Sequence, residues 1–161
     1  MLADAWNYVL THPVQFYRAF GVHVALSASA LLLAALVCIP AGIAVARRSG
    51  LSLAVVNAAN VGRTLPSLAV LALVMPILGT GFAPALFALT LIALPPIVTH
   101  TIVGMRGVDA DAVDAAIGMG MTRAALLWQV ELPMAMPVIF AGLRTAAVQI
   151  ISGAVLAAFI G

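Results

Sequence analysis

The chain has 161 residues, of which 65% are hydrophobic and only 7% charged, and its mean hydropathy is +1.21. A soluble domain carries about a quarter charged residues to wet its surface, so this composition excludes one and predicts a protein built for a bilayer. All seven basic residues are arginines and the net charge is only +2, which gives no footing for a nucleic-acid partner. Cys38 is the single cysteine, so one chain can build neither a disulfide framework nor a thiolate metal site. A small core side chain is expected there.

The N-terminal stretch MLADAWNYVLTHPVQFYRAF carries an acid at Asp4 and lacks both a basic leader and a continuous apolar core. It is therefore not a cleavable signal peptide. Trp6, Tyr8, Phe16, Tyr17 and Phe20 punctuate it, and such residues favour the boundary between membrane and water. Residues 1–22 are expected to form an interfacial segment, with a disordered leader as the alternative, and residues 23–161 a transmembrane domain.

Residues 23–46 are long enough to cross a hydrocarbon core of about 30 Å, Pro40 notwithstanding, and they end at Arg47-Arg48. A second apolar stretch, 51–78, is interrupted by Arg63 and Pro66. GTGFAP (79–84) has the chemistry of a turn and no charge. A third stretch, 85–103, contains Pro95-Pro96, where a kink or break is expected. A fourth runs from 134 to 161. The expected fold is all-α, a membrane helical bundle of about four spans. The chain stops at AVLAAFIG without a flanking charge, from which truncation or a missing further span is expected.

Arginine placement sets orientation. Arg47 and Arg48 lie in one connection, Arg106 and Arg123 in another, and 79–84 has none. The positive-inside tendency puts both basic connections in the cytoplasm, with Arg18 alone against it.

The charge-rich region between the third and fourth stretches is the unusual one. In VDADAVDAAIGMG, Asp111 is expected to cap a short helix with Asp114 three residues on, favourable for the positive end of a helix. Gly118 and Gly120 are expected to close it. Thr122 can cap a second helix, RAALLWQVE, with Leu126, Leu127 and Val130 on one face, which should stop before Pro133. Ala115, Ala116, Gly118 and Gly120 offer little bulk, which invites close approach by another backbone. A helical hairpin packed only on its own bundle explains the pattern equally well.

The spacing of this element resembles the cytoplasmic loop of ABC-importer permeases, in which E-A-A is followed after three residues by G and after nine more by I-x-L-P. Here Asp114-Ala115-Ala116 leads to Gly120 and then to Val130-Glu131-Leu132-Pro133, with aspartate for glutamate and valine for isoleucine. Residues 63–81 and 132–146 are similar to permeases that import glycine betaine, choline or carnitine. The resemblance implies a type I importer permease in a prokaryotic inner membrane. Its partners would be cytoplasmic ABC ATPase subunits, a second copy or a related permease chain, an external solute-binding protein and membrane lipid. Residues 109–133 would be the coupling loop, with Asp114, Ala115, Ala116, Gly120, Val130, Leu132 and Pro133 at the ATPase. No cofactor and no catalytic residue are implied in this chain. A methionine or other amino-acid importer is the alternative within the class, and a channel or receptor the alternative outside it.

Enzyme chemistry has little support. Asp109, Asp111 and Asp114 are better explained by capping and solvation than as a metal site, and no HExxH, GxSxG or Walker pattern occurs. Ionisable or polar groups within spans are functional candidates. Arg63 and Pro66 are candidates for pathway or gate, with helix pairing as the other role open to Arg63. Thr145, Gln149 and Ser152 repeat on one helical face, expected toward the bundle interior or the pathway, which makes Gln149 and Ser152 candidates too. Arg144 is expected to anchor its helix, and His100 to be a hydrogen-bonded packing residue.

Overall fold

A computed structural model describes residues 2–64 and 67–157, and the elements described are all helical. In order they are α1 (Leu2–Thr11), α2 (Pro13–Ala46), α3 (Ser49–Thr64), α4 (Ser67–Leu78), α5 (Phe82–Arg106), α6 (Ala110–Gly118), α7 (Arg123–Leu126), a π-helical turn (Leu127–Glu131) and α8 (Leu132–Ala157). The all-α expectation holds.

Pro13 opens α2, where its missing N–H costs nothing and its fixed φ suits a first turn. The helix then runs 34 residues without pause through residue 22 and through Pro40. At about 1.5 Å per residue it is roughly 50 Å long, well beyond the hydrocarbon core. Its buried positions are Leu26, Ala30, Ala34, Cys38, Gly42 and Ala46. Each is four residues from the next, so one narrow ridge of mostly small side chains faces inward. Between helices in lipid, association depends on close packing rather than on escape from water, and small residues permit that approach.

α5 is the hub, packing against α2, α3, α4 and α8. A Cβ placed on Gly42 would sit 2.7 Å from Thr101 Cγ2 of α5, so only glycine fits at that crossing. On the other side, a Cβ on Gly142 of α8 would lie 2.6 Å from the Cβ of His100 and 2.9 Å from the carbonyl of Pro96. Cys38 is buried as expected, its thiol donating to the Leu94 carbonyl at 3.7 Å. His100 is a packing residue, its Nδ1 2.8 Å from the Pro96 carbonyl.

Two expectations about breaks are corrected. Pro95-Pro96 does not interrupt α5, which is one helix of 25 residues. Both rings are buried between neighbours, and that packing holds the helix together across two missing N–H donors. Pro133 does not end a helix either, because α8 begins at Leu132 directly from the π turn. In the second apolar stretch the described helices are α3, up to Thr64, and α4, from Ser67, and residues 65–66 lie outside the described residues. The backbone of Arg63 belongs to α3, but its side chain and all of Pro66 lie outside the described residues. Among the described residues, three helical stretches are long and apolar enough to cross a membrane, Pro13–Ala46, Phe82–Arg106 and Arg123–Val155, with Gly50–Val61 a shorter apolar helix. The remaining expected span corresponds to the stretch that holds α3 and α4.

Candidate functional site

The basic connections meet at one end of the bundle. Arg106, the last residue of α5, donates from Nε to the Ala46 carbonyl at 2.7 Å and from its terminal nitrogen to the Ser52 hydroxyl. Arg47, the residue after α2, forms an ion pair with Glu131 of the π turn. Arg47, Arg123 and Glu131 also line one groove with Ile43, Met105 and Leu127. At the other end Gly81 and Phe82 share a groove with Gln15, Arg18 and His23. The separation of the two ends is the one expected from arginine placement.

From the basic end projects a hairpin. α6 is capped by Asp109, whose carboxylate accepts from the Asp111 N–H at 2.9 Å. This corrects the expectation that Asp111 is the cap. Asp111 instead sits in the first turn, and Asp114 falls one turn further on, outside the reach of cap geometry. The Asp-Ala-Asp sequence offers two capping registers, and the earlier one lets the helix start almost directly after α5.

α6 closes on a two-bond motif. The Gly120 N–H bonds the Ile117 carbonyl at 2.9 Å and the Met121 N–H bonds the Ala116 carbonyl at 3.2 Å. This 5→2 and 6→1 pair satisfies the last carbonyls and needs a left-handed residue between. Gly120 supplies it at φ +83°, while Gly118 remains helical. Thr122 then caps α7 as expected, accepting from the Ala125 N–H at 3.3 Å.

The short α7 passes into the π turn, where the Leu132 N–H bonds the Leu127 carbonyl five residues back. Five-residue spacing aligns buried Leu126 with buried Glu131; beyond the turn, Ala135 and Ile139 come at intervals of four. The wider turn thus joins the hairpin to α8 while keeping both on one inward stripe.

The candidate residues separate clearly by exposure. Asp114, Ala115, Gly120 and Pro133 are exposed, Val130 and Leu132 are half-buried, and Ala116 is buried. The hairpin also exposes Ile117, Met119 and Trp128. Sequence reasoning passed over these, although a tryptophan in a half-polar stretch is the signal that marks them. Gln149 is half-buried and Ser152 and Thr145 exposed, beside the inward stripe of Gly142, Ala146 and Ile150 rather than on it. The small residues and Ile150 take the helix crossings, so the polar face lies open on the surface of the single chain. Among the described residues no cluster of three potential metal ligands occurs.

Comparison with known proteins shows the family. Residues 38–161 match the family described as binding-protein-dependent transport system inner membrane component. The chain is 42% identical over 139 residues to a carnitine transport permease protein of Listeria monocytogenes, covering 86% of this chain and 64% of that protein. It is 39% identical over 158 residues to a choline transport system permease protein of Bacillus subtilis (strain 168), covering 93% and 73%. An osmoprotectant import permease protein of Salmonella typhimurium is 45% identical over 141 residues, covering 86% and 60%. The chain thus spans between 60% and 73% of the length of these relatives.

Proposed function

The chain belongs to the family of binding-protein-dependent transport system inner membrane components, and from that premise we propose that it is a permease subunit of an ATP-driven importer. In this reading residues 109–133 are the element that docks in a cytoplasmic ATPase. Asp114 offers a charge, Ala115 lets the partner come close, and Ile117, Met119 and Trp128 add apolar area. Gly120 sets the angle between the arms. Ala116, Val130, Leu132 and Pro133 fix the hairpin to itself and to α8.

The observation that carries the proposal is the hairpin itself, closed at Gly120, exposed on its Asp114–Ala115 surface and continuous with a long apolar helix. A rigid element of this kind converts a change in the ATPase arrangement into movement of a span. The solute is proposed to be an osmoprotectant of the kind named for the relatives, such as carnitine, choline or glycine betaine. It would be delivered by an external binding protein, and the pathway formed with a second permease copy or related chain. The open polar face of Thr145, Gln149 and Ser152 is the described surface suited to line that pathway. Arg63 and Pro66 remain candidates for it on sequence grounds.

Gly120→Val tests the hairpin. A β-branched residue is poorly compatible with a positive φ. Membrane insertion should be unchanged while co-purified ATPase and solute uptake both fall. Normal uptake by this variant would remove the proposal.

A further inference from the structure

Docking leaves one charge unexplained. Glu131 is 5% exposed, yet it caps no helix and stands on the inward stripe shared by Leu126 and Ala135. Its carboxylate meets the guanidinium of Arg47, which is itself well exposed beyond the end of α2. The groove around the pair is walled by Ile43, Met105, Leu126 and Leu127, with Arg123 the other charge lining it. Burying a carboxylate against such walls is costly unless it is paired. The cost falls at a place where the backbone also departs from α geometry. One extra residue in the turn rotates the rest of the helix by about 100°, which brings position 131 onto the α2 side.

The chain joins the hairpin directly to α5 on one side and to α8 on the other, but no backbone joins it to α2. We propose that the Arg47–Glu131 pair is the joint through which displacement of the hairpin reaches α2, with both residues acting as positioning residues for coupling. The inference rests on the reading of the hairpin as the ATPase-docking element. Through the joint, a push on the hairpin moves the ends of α8 and α2 together. Arg106 ties the same end of α2 to α5 through the Ala46 carbonyl, so the ends of α2, α5 and α8 move as a unit. Because the carboxylate is enclosed, opening the pair exposes it to apolar walls with only Arg123 as another charge in the groove, which favours the closed state.

The test uses the assembled transporter in proteoliposomes, with its ATPase and solute-binding protein, and reads solute imported per ATP hydrolysed. Arg47→Gln, Glu131→Gln, the double variant and Arg47→Lys are compared with the wild type. ATPase attachment should be unchanged in all four. Import per ATP should fall about tenfold in each Gln variant, fall no further in the double variant, and be retained in Arg47→Lys. Two residues acting through one contact give such non-additive losses. An unchanged ratio in the single variants would overturn the joint. So would losses that multiply in the double variant, or loss of ATPase attachment in step with import. A wild-type chain that retained no ATPase would remove the docking reading itself, and the joint with it.

Discussion

The guanidinium of Arg106 donates to the carbonyl of Ala46 across the gap between α5 and α2, 2.7 Å from nitrogen to oxygen. Ala46 is the last residue of its helix, so its carbonyl is one of those no intrahelical N–H can reach. A second nitrogen of the same side chain takes the Ser52 hydroxyl in α3. One planar group thus fixes the ends of two helices to a third.

Arg106→Met should therefore lower the thermal stability of the detergent-solubilised protein. Charge-assisted hydrogen bonds of this kind contribute roughly 1 to 2 kcal/mol when partly exposed. Arg106→Lys should recover only part of the loss, because an ammonium group cannot reproduce the fork. A midpoint unchanged in both variants would show that the contact holds nothing.

Asp109 and Asp111 are separated by the cap. Asp109→Ala removes an acceptor from the first turn of α6 and should cost about 1 kcal/mol of local stability. Asp111→Ala loses only its interaction with the helix dipole, a few tenths of a kcal/mol. Amide hydrogen exchange over residues 110–118 reads the difference. Equal protection in the two variants would refute the assignment of Asp109 as the cap.

Gly142 and Gly21 form a second contrast. A methyl group on Gly142 would press into the backbone of Pro96 and the Cβ of His100, whereas one on Gly21 meets nothing within 4 Å. Gly142→Ala should destabilise the α5–α8 packing by about 1–3 kcal/mol through overpacking. Gly21→Ala should be neutral or slightly stabilising. Thermal unfolding in detergent distinguishes them, and equal midpoints would contradict the close crossing.

How much of this could be read in advance varies with the range of the interaction. The turn at Gly120 and the cap at Thr122 are local, and their residues announce them. The grouping of Arg47, Arg106 and Arg123 at one end comes from counting crossings. The pairing of Arg47 with Glu131 does not, because it joins elements from distant parts of the chain and depends on how they pack. The π turn is equally hidden. Pro133 signals the end of a helix, and nothing nearby states that the helical path runs on through a wider turn into α8. At Pro95-Pro96 the same rule failed because burial on several sides outweighed the two lost hydrogen bonds.

Orientation has its own test. Single cysteines at Ser49 and at Met119 should react only from the cytoplasmic side, and one at Thr80 only from outside. Native Cys38 is buried and should stay silent. Labelling of positions 49 and 80 from the same side would sink the assignment of sides.

Asp114 tests the central claim, that the hairpin docks in an ATPase. With Asp109 as the cap, Asp114 is free of that duty, and it is exposed with no side-chain partner among the described residues. If its charge meets a cationic group on the ATPase, Asp114→Asn leaves that group without a partner in a partly desolvated interface. Such a loss costs about 2 kcal/mol, roughly thirtyfold in attachment. Asp114→Glu keeps the charge on a longer arm. The decisive measurement is the amount of ATPase that co-purifies with each variant at equal permease. The account predicts a large loss with Asn and wild-type recovery with Glu. Equal, undiminished ATPase on both variants would contradict it.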